Sequence, residues 1–310
     1  MNGMKKYLIA AVLVTLAAMP LRAQKTAEEY ASRYNLLADR LGPTGVGIET
    51  LVTRWEKDFP DDVSMLCAKF SYYYGKSMSS RIVKKDQKKF MGNSPVLSLD
   101  DSTGVKTNYF EEVFYDDSLY AIASSALDRA VRLSSDDLYL RVSKINSLLS
   151  YEKESPDMAT QTIVSLIDYN YTKKPAWNYS GQSLTQDQFC DMMQEFCVTF
   201  YTIGSPAAME SFRKVSEKMS SYNPKKTCFL DNLGSYHLVC AGDNKTALKY
   251  YSKALKIDPK DYSAIKNSVL IARKDKNVKL EKKYLPMLIG ATEDESEKLA
   301  AKVRLEALSK

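Results

Sequence analysis

Gly242-Asp243-Asn244-Lys245-Thr246-Ala247-Leu248-Lys249-Tyr250-Tyr251-Ser252-Lys253-Ala254-Leu255-Lys256-Ile257-Asp258-Pro259 decides how this chain folds. It opens on a turn, runs on as an amphipathic helix of about four turns and ends on an Asp-Pro stop. Ala247, Tyr251, Ala254, Leu255 and Ile257 fall near one stripe of that helix. The small side chains at 247 and 254 let a neighbouring helix approach closely, and Tyr251 fills the space between them. Pro259 ends the helix because it has no amide to donate.

Working upstream, the pattern predicts a preceding helix from Thr227 to Ala241, and within it stands Leu233-Gly234-Ser235-Tyr236. From Pro224 to Pro259 is a step of 35 residues. The Leu-Gly start, the small-large-small helix and this step together resemble a tetratricopeptide repeat, whose period is about 34 residues. The resemblance implies an all-α fold, a right-handed α-solenoid of stacked antiparallel helix pairs, serving as a scaffold rather than a catalyst. In that family the first helix of each repeat lines the groove. The matching positions here are Asp231 and Ser235 in the clear repeat, Lys266, Asn267, Arg273 and Lys274 in the next, and Asn146 upstream. Lys and Arg in such a groove favour a carboxylate or an otherwise acidic partner.

The same helix, stop, helix rhythm recurs elsewhere. Leu51 to Phe59 is followed by Pro60-Asp61-Asp62 and a helix from Val63 to Tyr74, and Ala123 to Leu133 by Ser134-Ser135-Asp136-Asp137. Further helices are predicted over Leu138 to Lys153, Pro156 to Tyr169, Thr185 to Ile203, Pro206 to Tyr222, Tyr262 to Lys274 and Leu280 to Ile289. Gly204-Ser205-Pro206 reads as a tight turn between helices, with Pro206 opening the second. A polar terminal cap over about 292–309 is predicted to start at a capping box, Thr292-Glu293-Asp294-Glu295. Lys298, Lys302, Arg304 and Lys310 are expected to complement its other end. No run alternates convincingly with period two, so almost no sheet is expected. Residues Lys76 to Asp117 lie outside the rhythm and read as a surface insertion, with a short basic helix over Arg81 to Phe90 and a mobile stretch from Gly92 to Asn108.

Lys5 and Lys6, the apolar run Tyr7 to Met19 and Leu21-Arg22-Ala23 before Gln24 resemble an export signal cleaved after Ala23. The run is too short to span a bilayer, which takes about 20 residues. The expectation is a signal over 1–23, a single repeat domain over 24–310, and a periplasmic or secreted protein with no stable membrane span. Losing Lys5, Lys6 and Arg22 takes the formal net charge from +6 to +3, so nothing draws the chain globally to nucleic acid. Residues 225–283 nevertheless hold thirteen lysines and one arginine against six acids. That local excess reads either as solvated helix faces or as a basic surface for an acidic partner.

Five cysteines are an odd number. Cys190 and Cys197 are seven apart in one helix, roughly 10 Å along its axis, beyond the ~7 Å reach of a disulfide. They read mostly as small buried hydrophobes. There is no Cys-x-x-Cys and His237 is the one histidine, so neither a metal nor a cofactor is expected. Gly42-Pro43-Thr44-Gly45-Val46-Gly47 lacks the strand before it and the Lys-Ser/Thr after it that a phosphate cradle needs, and it reads as a turn joining two helices. Paired acids such as Asp100-Asp101 and Glu111-Glu112 read as solvation.

Tyrosine is in excess, at 21 of 310 residues. Many are expected between helices, and the rest on a binding surface. The sequence therefore supports a non-catalytic scaffold for a protein or peptide. An alternative is a glycan- or nutrient-handling protein, in which Lys76 to Asp117 and Tyr169 to Ser183, with Trp177, form the binding surface. Asn170-Tyr171-Thr172 and Asn178-Tyr179-Ser180 also match an N-glycan acceptor pattern.

Overall fold

The computed structural model describes residues 26–100 and 102–309. The export signal expected over 1–23 lies outside the described residues. They group into two compact units, one of residues 26–77 with 116–133 and one of residues 78–115 with 134–309.

The first unit holds α1 (Ala27–Leu41), α2 (Ile48–Asp58), α3 (Val63–Ser77) and α4 (Asp117–Leu133). A capping box starts α1: Thr26 Oγ1 accepts from the Glu29 amide and Glu29 reaches back to the Thr26 amide. The glycine cluster is the expected turn, with Gly42 closing α1 and Gly47 opening α2, both at positive φ. Trp55 is the hub of the core. Its ring stacks on Tyr30 at 5.9 Å and its Nε1 donates to Asp62 at 3.0 Å, so the Pro60-Asp61-Asp62 stop also satisfies the indole. Asp116 N donates to Ser77 O at 2.8 Å and brings together the two ends of the segment between α3 and α4.

That segment is a sheet. β1 (Met78–Lys85), β2 (Leu97–Asp100) and β3 (Lys106–Tyr115) form an antiparallel sheet in the order β1-β3-β2, with Met78 opposite Tyr115 and Lys85 opposite Asn108. The expected basic helix over Arg81 to Phe90 is instead strand and connection, and β2 and the start of β3 lie where a mobile stretch was expected. The reason lies in β3, where Thr107-Asn108-Tyr109-Phe110 and Val113-Phe114-Tyr115 supply β-branched and aromatic side chains to a half-buried strand. Phe110 is buried against Phe90 at 5.9 Å.

The second unit continues with α5 (Leu138–Glu152), α6 (Asp157–Lys173), the short hairpin β4 (Asn178–Tyr179) and β5 (Gln182–Ser183), α7 (Gln186–Ile203), α8 (Pro206–Tyr222), α9 (Thr227–Val239), α10 (Asn244–Ile257), α11 (Tyr262–Lys274), α12 (Val278–Ala291) and α13 (Glu295–Ser309). From α8 onward each helix packs on the one before it, α6 packs on α8, and α9 also touches α11. These are stacked antiparallel helix pairs, the all-α repeat architecture expected. Gly204 closes α7 in the left-handed region, and Ser205 caps α8 through the Ala208 amide at 3.1 Å. α8 and α11 begin and end at the predicted residues.

The decisive repeat is built as its sequence implies. Ala247, Tyr251 and Ala254 are buried on α10, and the Tyr251 ring lies against Gly234 of α9. A Cβ at 234 would stand 2.4 Å from that ring, which is why Gly belongs there. The terminal helix starts later than predicted. Thr292 caps the end of α12, while Asp294 accepts from the Ser296 and Glu297 amides and opens α13. Arg304 does not serve the helix end; it reaches Glu281 of α12 at 2.9 Å. None of the five cysteines forms a disulfide; Cys190 and Cys197 are buried as expected, but Cys240 is exposed. Burial pushes the Cys197 thiol up to about 12.

Candidate functional site

The predicted groove residues separate into three groups. Asp231, Ser235 and Asn267 converge around Tyr251 of α10, because α9 and α11 touch each other and both pack on α10. Ser235 Oγ lies 3.2 Å from Tyr251 Oη, and the Asn267 side chain stands near that hydroxyl. Burial pushes the Tyr251 hydroxyl up to about 12. Asp231 is 8% exposed and its Oδ1 has no hydrogen-bond partner. Burial, reinforced by repulsion from and a hydrogen bond with Asp261, pushes its carboxyl up to about 8. Asp261 in turn caps α11, accepting from the Ala264 amide at 3.0 Å.

The second group is Lys266 and Arg273 on the outer turns of α11, and both cations are held within the chain. Lys266 Nζ donates to Tyr262 Oη at 2.7 Å and pairs with Glu297 of α13 at 3.0 Å. Arg273 Nε pairs with Glu281 at 2.8 Å. Glu281 is 2% exposed and takes Arg304 on its other side; first Arg304, then Arg273, holds its carboxyl below the usual range. The third group stands apart. Asn146 is exposed on α5, which packs on α6 and β4, and Lys274 is exposed in the last turn of α11.

A cavity of about 190 Å³ opens on α11 between these groups. Lys266, Asn267, Arg273 and Glu297 form its rim, and Val269, Leu288 and Ala301 form its apolar floor. Leu270, 53% exposed, and the exposed Ala300 stand at the mouth. Glu281, Glu297 and Tyr262 are the residues that sequence reasoning missed. The one available signal was Glu281 itself, the single acid among the lysines of α12.

The segment from Tyr169 to Ser183 does not offer the aromatic surface that the glycan reading needs. Trp177 is 4% exposed, stacks on Phe189 with an interplanar angle of 2° and donates to Asn170 Oδ1 at 2.8 Å. Asn170 is itself buried and bonds Gln186, so its side chain is occupied. His237 stacks on Tyr250 at 5.5 Å. Among the described residues no group of three or more His, Cys, Asp or Glu is placed to hold a metal ion, and no helix is long and apolar enough to cross a membrane.

No protein-family model matches the chain. No curated protein matches it either. Among solved structures, it is similar to the flexible tandem repeat domain from one of the subunits of bacterial cellulose synthase, at 13% identity over 92% of this chain and 98% of that one, with a TM-score of 0.27. At that score the two backbones do not superpose as one fold, and the likeness carries no functional weight.

Proposed function

We propose that this protein is a non-catalytic scaffold of the bacterial cell envelope that holds a peptide or protein segment on the α11 face. The observation that carries the reading is the α11 cavity, an apolar floor inside a polar rim at the scale of one side chain. Such a site takes an anchor residue, while Asn267 and the rim charges meet the polar backbone around it. With Lys266 and Arg273 already paired to Glu297 and Glu281, an apolar anchor fits better there than a carboxylate, whose entry must break an existing ion pair. The export signal expected over 1–23 supports a periplasmic location.

Selection of displayed random peptides on the purified protein tests this. Wild type should enrich sequences with one apolar anchor, and Ala300→Trp, which fills the mouth without touching the core, should lose them. Enrichment that is the same with Ala300→Trp would place binding elsewhere.

A further inference from the structure

The local excess of positive charge is not spent in the groove, and the structure locates where it stands free. α10 carries four lysines and no Asp or Glu. At 100° per residue, Lys245, Lys249, Lys253 and Lys256 fall within a sector of about 80° and span about 16 Å of the helix axis. That sector lies nearly opposite Ala247, Tyr251 and Ala254, which face the neighbouring helices. All four lysines are exposed and line a shallow cavity of about 560 Å³, together with the half-buried Leu248 and Ser252 and, from the end of α11, a single carboxylate, Asp275.

None of the four pairs with a carboxylate among the described residues; Lys253 lies over the Tyr250 ring at 5.1 Å. The nearest acids are occupied. Asp243 caps α10 through Thr246, Asp258 accepts from the Lys260 amide, and Asp275 accepts from Asn244 Nδ2 at 2.6 Å. Other helices here mix signs on their solvent faces, as Arg213 with Glu217 on α8 and Lys298 with Glu295 on α13. On α10, by contrast, Lys245 with Lys249 and Lys249 with Lys253 are like charges one turn apart, an arrangement that weakens a helix standing alone.

We propose that this lysine ladder is a docking site for an acidic peptide segment. Carboxylates on alternate residues of an extended chain stand about 6.6–6.8 Å apart, close to the ~6 Å between lysines one turn apart. One strand can therefore meet Lys245, Lys249 and Lys253 in turn. A membrane surface fits less well, because the one exposed large apolar side chain of this helix is Ile257 at its C-terminal end, too little to form the apolar face that an interfacial helix buries. The site lies on a different helix from the α11 cavity, so either can fail without the other.

The probe is a fluorescent ten-residue glutamate peptide, followed by anisotropy with the full chain. Wild type should bind at low salt and weaken as salt rises. Changing all four lysines to Gln should weaken binding by at least about tenfold, since charges that converge on one partner act together. The four Lys→Arg changes should retain binding, as should Gln at Lys279, Lys282 and Lys283 of α12. Circular dichroism should report the helices intact in each, because Lys→Gln removes repulsion; should the fourfold variant not fold, Lys249→Gln alone must still weaken binding. The proposal is overturned if wild type does not bind the peptide or if the Gln variant binds it equally. It is also overturned if phosphatidylglycerol vesicles or duplex DNA bind through these lysines and the peptide does not.

Discussion

The buried carboxyl pair between α9 and α11 makes the stability of the repeat depend on pH, with a sign opposite to the usual acidic residue. Asp231 faces Asp261 and Asp258 from the α10–α11 turn, with Cys228 on its own helix and Tyr251 of α10 beside it; no cation is placed against it to offset its charge. In the unfolded chain its proton leaves near the ordinary value of 3.8, whereas in the folded chain it stays until about 8. Between those values the folded state holds the extra proton, so stability falls as pH rises through the window and the loss is complete above it. Each tenfold change in proton affinity is about 1.4 kcal/mol, so from pH 5 to 8 the ceiling is about 4 kcal/mol. Water and side-chain relaxation near the pair reduce this to about 2 kcal/mol.

Asp231→Asn removes the titration and keeps an amide that donates to Asp261. Its melting temperature should exceed that of wild type by about 4–8 °C at pH 8.5, taking 2–4 °C per kcal/mol for a chain of this size. The two should nearly coincide at pH 4.5. Cys228 and Tyr251 lose their protons only near 11 and 12, above the window, so they do not blur the difference. Melts of both proteins across pH 4.5–8.5 check it. Equal slopes, or an Asn variant less stable than wild type at pH 8.5, would refute the reasoning.

Gly234→Ala places a methyl against the fixed Tyr251 ring and should destabilise by about 1–3 kcal/mol, read by thermal melts. Ala254→Trp overpacks the other side of the same contact and should cost at least as much; an unchanged melting temperature for either would mean the α9–α10 packing is misplaced. Glu281→Gln leaves Arg273 and Arg304 without their shared carboxylate, so amide exchange in α13 should speed up while that in α5 and α6 does not change. Because the Glu281 carboxyl is held below its usual range, acid should mimic the variant: its contribution is present above the ordinary value of 4.5 and is lost as pH falls through the lower folded value. Terminal sequencing of protein recovered from the envelope should read Gln24 or a neighbour first, and an intact Met1 would contradict the export signal.

The fold was legible wherever one face of a helix is buried. Ala247, Tyr251 and Ala254 announce a crossing through size alone, and Ser205-Pro206 and Asp261-Tyr262 announce helix starts through capping chemistry that depends only on neighbours in sequence. The sheet was not legible, because almost every residue of β1 is exposed and no alternation is written along it. Its register exists only through β3, some thirty residues away. Asp231, Ser235 and Asn267 were singled out through the repeat resemblance, and they lie near one another because α9 and α11 pack together. The pairing of Lys266 with Glu297, and the burial of Glu281 between two arginines, arise from how α12 and α13 fold back, which no local pattern records. The sequence therefore showed where charge is dense and not where it is free.

The central claim is that the α11 face holds a peptide, and photocrosslinking in the native host tests it most directly. A benzoylphenylalanine placed at position 270, at the mouth of the cavity, should form a discrete adduct on irradiation. That adduct should disappear in the Ala300→Trp background, while the same probe at Asn146 forms none. No adduct at 270, or one indifferent to Ala300→Trp, would contradict the account.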